Sequence, residues 1–85
     1  MPTEDVEKVL GPLEAEVMRV LWKARRPLAV RDVLATLNEE RSVPLAYTTV
    51  MTVMARLADK GILRRQRGGR SFLYKAAVKD AAEIA

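Results

Sequence analysis

Two consecutive segments in the second half of the chain constrain its fold more than any other feature. Residues 46–61 carry apolar side chains at three- and four-residue spacing and end in Gly61, which predicts an α-helix with a glycine C-cap. Residues 62–76 form two runs around Gly68-Gly69, which predicts a β-hairpin with a two-residue turn. A helix followed by an arginine-rich hairpin predicts a winged helix-turn-helix, an α+β fold that is mainly α. We expect three helices plus a β-hairpin wing, in a small three-stranded antiparallel sheet.

Proline and glycine define the ends of the other predicted helices. Gly11-Pro12 is a typical helix start, because proline is favoured at the first helical position. Pro27 stops that helix, and the short apolar run 28–30 is the candidate third strand. The three helices are therefore predicted over about residues 12–24, from 30 or 31 to 39 or 40, and over about 47–60.

The length and composition indicate one small globular domain. The chain has 85 residues, of which 49% are hydrophobic and 31% charged. We expect a flexible N-terminal arm at residues 1–9, the winged-helix domain at residues 10–78, and the start of a truncated C-terminal helix at residues 79–85. Trp22 is expected to pack between helices rather than to form a ligand cage.

The absent residue types exclude several classes of function. The chain has no cysteine and no histidine, so it lacks the commonest metal ligands and the commonest general base. It also lacks a glycine-rich phosphate loop, so we expect neither an enzyme nor a bound cofactor or metal. No apolar run approaches the roughly 20 residues that a membrane helix needs. A cytoplasmic location, without membrane contact, is the resulting expectation.

The charge distribution points to an anionic partner for the second half of the chain. The net charge is +4, and residues 60–75 contain six basic residues and no acidic one. A concentrated basic segment is typical of nucleic-acid binding, although a solvated basic face would have the same composition.

The third predicted helix has two chemically different faces. Its apolar face contains Tyr47, Val50, Met51, Met54, Leu57 and Ala58, and Met51 and Met54, like Met18, are expected in the core. The opposite face carries three threonines and Arg56. Threonine lowers helix propensity, so its repeated use on an exposed face needs a reason. Its small side chain lets a helix sit deep in the major groove of DNA, where its hydroxyl and methyl groups can meet base edges.

The predicted hairpin concentrates four arginines near its tip: Arg64, Arg65, Arg67 and Arg70. A turn at Gly68-Gly69 would place Arg67 opposite Arg70 and Arg65 opposite Phe72, with Phe72 helping to cover the helices. Like charges directly opposite each other destabilise a sheet, whereas a phosphate backbone or a narrow minor groove would attract them. Charges that prevent edge-to-edge strand pairing are the alternative explanation.

Together these patterns predict a DNA-binding domain. The third helix would enter the major groove, and the wing would contact the backbone or the adjacent minor groove. The alternative is a winged-helix protein–protein interaction module whose hairpin binds an acidic partner. The candidate DNA-binding residues are Tyr47, Thr48, Thr49, Thr52, Arg56, Arg65, Arg67, Gly69 and Arg70.

Several stretches resemble the penicillinase repressor family, which includes the β-lactamase, methicillin-resistance and copper-responsive repressors. The similar stretches are residues 10–22, 46–57, 60–63 and 69–74, and the resemblance covers roughly residues 9–78. It implies a winged-helix repressor that binds palindromic double-stranded operators as a dimer. By position it implies Thr48, Thr49 and Thr52 on the recognition helix, and Gly69 and Arg70 in the wing.

The resemblance also implies two differences from full-length family members. Those members homodimerise through a C-terminal region that also carries the induction site, and we expect that region to be absent here. This chain is therefore expected to be a monomer. The copper-responsive branch senses metal through C-terminal cysteines, and this sequence has none.

Overall fold

Three helices and a β-hairpin form where the sequence predicts them. The computed structural model describes residues 10–84, so the predicted arm at residues 1–9 lies outside the described residues. None of the helices in this part of the chain is long and apolar enough to cross a bilayer. The elements are α1 (Pro12–Ala24), α2 (Val30–Asn38), α3 (Tyr47–Asp59), β1 (Leu63–Gly68), β2 (Ser71–Ala76) and a short α4 (Ala81–Ile84).

Local interactions explain where these helices begin and end. The Gly11 N–H donates to the Glu14 carboxylate at 3.2 Å, and the Ala29 N–H donates to the Asp32 carboxylate at 3.0 Å. Both bonds satisfy backbone donors at a helix start that would otherwise lack partners. Helix α3 ends at Asp59, and Gly61 two residues later has a φ of +81°, which disfavours other residue types.

The core lies between the three main helices and the base of the hairpin. Met18 and Met54 are fully buried, which confirms their predicted place. Trp22 packs against this core and donates its indole N–H to the Val78 carbonyl at 2.8 Å, which confirms its packing role. The buried apolar residues are Leu10, Ala15, Val17, Met18, Leu21, Leu28, Ala29, Val30, Val33, Leu37, Val50, Met54, Leu57, Ile62, Leu63 and Tyr74.

The predicted three-stranded sheet is wrong. Among the described residues the sheet has two antiparallel strands, β1 and β2. Leu28 forms one isolated bridge with Tyr74, through N–H to carbonyl bonds of 2.9 and 2.8 Å. The bridge cannot extend into a strand, because Pro27 has no N–H on one side and α2 begins at Val30 on the other.

The predicted hairpin register is also wrong. Gly68 pairs with Ser71 and Arg67 with Phe72, so the two-residue turn is Gly69-Arg70 rather than Gly68-Gly69. Gly69 has a φ of +73°, and Arg70 does not have a positive φ. Glycine at the first central position is typical of a type II′ turn. Arg70 therefore lies in the turn itself, and the predicted pairing of Arg67 with Arg70 does not form.

Candidate nucleic-acid interface

Helix α3 presents a polar face that is supported by the core. Its buried side contains Val50, Met54 and Leu57, each 0% exposed. The structure brings four of the predicted site residues together on the solvent side of the same helix: Thr48, Thr49, Thr52 and Arg56. Because three fully buried side chains anchor the opposite side of the helix in the core, the backbone that carries these polar groups is fixed relative to the rest of the domain.

Two residues of the predicted apolar face of α3 are exposed. Tyr47 is 49% exposed and Met51 is 41% exposed, so the expectation that Met51 belongs to the core is wrong. Both lie at the edge of the buried arc, on the side that faces strand β2. The hairpin does not fold over this edge, and a groove remains between the two elements.

The start of α3 is held in place by the end of α2. The Leu45 N–H donates to the Asn38 side-chain carbonyl at 2.8 Å, and the Asn38 side-chain amide donates to the Leu45 carbonyl at 3.2 Å. This pair ties the α2–α3 turn to α2, two residues before α3 begins. The Arg41 guanidinium, in the same turn, bonds the Glu16 carboxylate of α1 at 2.7 Å.

The N-terminal end of α3 carries uncompensated positive potential. Its first turn contains no acidic residue, and its N-cap residue Ala46 has no side-chain acceptor. Unbonded N–H groups at a helix start and the aligned peptide dipoles both favour anions there. Tyr47 at this end lines the same groove as Ser71 and Phe72 of the wing, so the start of the helix adds positive potential to the surface that carries the arginines.

The two faces of the wing carry different arginines. Strand alternation places Arg65 and Arg67 on the same face as the buried Leu63, whereas Arg64 lies on the opposite face, paired with Lys75. Arg65 stacks over the Phe72 ring, with its guanidinium carbon 5.0 Å from the ring centroid. The four arginines of the hairpin are all exposed.

Gly68 and Gly69 have separate roles in the wing. Gly69 provides the positive φ that the turn needs. Gly68 lies under the side chain of Leu73, and a Cβ at this position would come within 2.6 Å of the Leu73 Cγ. The first of the two glycines is therefore used for packing and the second for the turn.

The sequence analysis does not predict all of the residues that line the groove between α3 and the wing. The groove has a volume of about 430 Å³, and its floor contains the buried Val30 and Tyr74. Met51 and Phe72 line it, although the sequence predicts Met51 in the core and Phe72 over the helices, and Arg31 from the start of α2 contributes a cation. Phe72 is 46% exposed, so its predicted role in covering the helices is wrong. One sequence signal could have indicated the exposure of Met51: it lies three residues after Thr48 and directly before Thr52, and both threonines belong to the exposed face.

The fold and this surface define the chain as a winged helix-turn-helix domain. A family model described as penicillinase repressor matches residues 10–84, and the chain belongs to that family.

Two curated relatives match most of this chain. One is the transcriptional regulator BlaI of Mycobacterium tuberculosis, 46% identical over 65 residues, which are 76% of this chain and 46% of that protein. The other is an uncharacterized 16.5 kDa protein in the ptsI 3′ region of Latilactobacillus sakei, 34% identical over 67 residues, or 79% of this chain and 44% of that protein. The chain thus spans about half the length of the curated relatives it matches.

Two solved structures share the fold. The solution structure of the DNA-binding domain of the repressor BlaI aligns with a TM-score of 0.71 and 28% identity, and covers 85% of this chain and 84% of that one. A structure from work on the DNA recognition and protein interaction domains of HOP2 aligns with a TM-score of 0.65 and 25% identity. That alignment covers 75% of this chain and 97% of the HOP2 chain.

Proposed function

We propose that residues 10–78 are the DNA-binding domain of a transcriptional repressor that recognises a specific double-stranded operator. The observation that carries this proposal is the exposed threonine face of α3 beside an arginine-rich wing, in a member of the penicillinase repressor family. The likeness to the DNA-binding domain of the repressor BlaI supports it.

Helix α3 is the element that enters the major groove in this proposal. The groove is about 12 Å wide and admits one α-helix. Thr48, Thr49 and Thr52 keep the exposed surface of the helix narrow, and their hydroxyls and methyls meet base edges. Arg56, on the same side of the helix, reaches a phosphate or a guanine edge. Tyr47, at the positive end of the helix, contacts the backbone.

The wing provides affinity with little dependence on sequence. Arg65 and Arg67 approach the sugar–phosphate backbone or the adjacent minor groove from the face of the hairpin that borders α3. The Gly69-Arg70 turn brings the backbone of the tip close to the same surface. Contacts to phosphates position a protein on DNA, whereas contacts to base edges specify the sequence.

Repression follows from occupancy, because a protein bound at a promoter blocks access of RNA polymerase. We propose that this chain acts in the cytoplasm and binds each half of a palindromic operator as a monomer. A linked dimer would gain about 10²–10⁴ in apparent affinity. Fusing a dimerising coiled coil after residue 85 should therefore tighten operator binding sharply without changing the half-site preference. A stable dimer of the unfused chain in sedimentation analysis would contradict this assignment.

The decisive experiment is footprinting of this chain on the DNA that flanks its own gene. We expect protection of a defined site, with binding that weakens steeply as salt is raised. Protection without sequence preference would contradict operator recognition. Absence of any DNA binding at low salt would favour the alternative, a winged-helix module whose wing binds an acidic protein partner.

A further inference from the structure

The groove between α3 and the wing has an unusual apolar rim for an exposed surface. Tyr47, Met51 and Phe72 are 49%, 41% and 46% exposed, and all three line it. They make up three of the four large apolar side chains that the described residues expose, and the fourth, Val43, lies outside the groove. Exposed apolar side chains gathered at one place indicate a contact surface rather than scattered exposure.

The charges around this groove select the kind of partner. Arg31 is the one charged residue of the lining, and no acidic side chain contributes to it. The guanidinium of Arg65 covers one side of Phe72 at 5.0 Å. An acidic or anionic partner is therefore favoured at the rim, and it must also offer an apolar group to the centre.

The major groove of duplex DNA has this combination. Phosphates border it on both sides, and the 5-methyl group of thymine is the apolar group that base pairs present there. Met51 follows Thr48 by three residues and directly precedes Thr52. Any approach that brings those threonines to base edges therefore brings the methionine side chain into the same groove.

We propose that Met51, with Tyr47 and Phe72 beside it, is a specificity determinant that binds the 5-methyl group of one thymine in each half-site. Arg31 holds the phosphate that flanks this contact. This inference rests on the proposed function, since it names a base contact within the same interface. A thymine methyl removed from water between apolar side chains contributes about as much as a buried methylene, which corresponds to roughly fourfold in affinity.

The test removes the methyl group from the DNA rather than from the protein. Once a preferred duplex has been selected from a random pool, each thymine is replaced in turn by deoxyuridine, which keeps every hydrogen-bonding group. We expect one replacement per half-site to weaken binding of the wild-type chain about fourfold. Met51→Ala should lose that sensitivity, so that thymine and deoxyuridine duplexes bind equally.

Val43→Ala serves as the matched control, because it removes an exposed apolar side chain outside the groove. It should keep the full deoxyuridine effect. If no replacement weakens binding, or if Met51→Ala retains the full effect, the methyl contact is wrong while operator recognition stands. If no duplex is preferred in the selection, the proposed function fails, and the thymine contact fails with it.

Discussion

Helix α3 and the wing present neighbouring polar surfaces on very different supports. Beneath the threonines of α3 lie three side chains that are 0% exposed, whereas the wing is buried only where Leu63 and Tyr74 join the core. Beyond that base, residues 64–67 of β1 are exposed and are held by strand pairing and by the Arg65–Phe72 stack. In the proposed interface, the supported helix would hold its groups in fixed positions for base contacts, while the less supported hairpin would be left to the backbone.

The largest expected effect comes from removing the support of α3. Leu57→Ala should lower the free energy of unfolding by about 2–5 kcal/mol, because it leaves a cavity under the helix. Denaturant unfolding measures this directly. Thr52→Ala, on the exposed side of the same helix, should change stability by no more than about 0.5 kcal/mol. Equal stability of the two variants would contradict the division of α3 into a supporting and a contacting face.

The next effect concerns the turn that precedes α3. Asn38→Ala removes two hydrogen bonds to Leu45, at about 0.5–1.5 kcal/mol each, so we expect a loss of roughly 1–3 kcal/mol of stability. Asn38→Asp keeps the acceptor for the Leu45 N–H and should lose less. Hydrogen exchange at the Leu45 amide should be faster in the alanine variant than in the wild-type chain, because the acceptor for this N–H is lost. Unchanged exchange there would show that the turn is fixed by other contacts.

The threonine face of α3 should govern sequence preference. Thr49→Ala and Thr52→Ala should each reduce discrimination between preferred and altered operators by about 1–3 kcal/mol per lost base contact. Competition binding with a panel of single-base operator variants measures this. If both variants kept the wild-type ranking of operators, recognition would have to lie outside this face.

The three main helices could be predicted from sequence because their signals are local. Gly11-Pro12, Pro27 and Gly61 mark helix ends, and apolar spacing identifies the buried sides of the helices. Asn38 could not be assigned, since nothing in the sequence shows that its amide meets a backbone seven residues later. The exposure of Met51 depends on the distance between the hairpin and α3, which is set by tertiary packing and not by local sequence.

In the wing, the sequence predicts the hairpin and its arginines but not the register in which the two strands pair. Consecutive glycines allow a turn at Gly68-Gly69 or one residue later, and both satisfy local turn preferences. In the observed register the side chain of Leu73 lies where a Cβ of residue 68 would be, which is a tertiary contact that no local turn preference reveals. Moving the turn by one residue shifts each cross-strand partner by two, so the arginines stay on their faces while their partners change.

The smallest expected effect tests the wing on this corrected geometry. Arg67→Ala and Arg70→Ala should each weaken binding to all sequences alike, by about fivefold at 0.15 M salt if each arginine neutralises one phosphate. The slope of log K against log salt should flatten by about 0.9 in each variant. Titrations over a range of salt concentrations measure both quantities.

Two matched variants separate a wing contact from a general loss of charge. Arg26→Ala removes one positive charge next to the end of α1, and Arg64→Ala removes one from the opposite face of β1. Neither should change the slope if the wing meets DNA through the face that carries Arg67. If Arg64→Ala alone flattened the slope, the outer face of the hairpin would be the one that contacts the DNA backbone. If Arg67→Ala and Arg70→Ala both left the slope unchanged, these two residues would lie outside the interface.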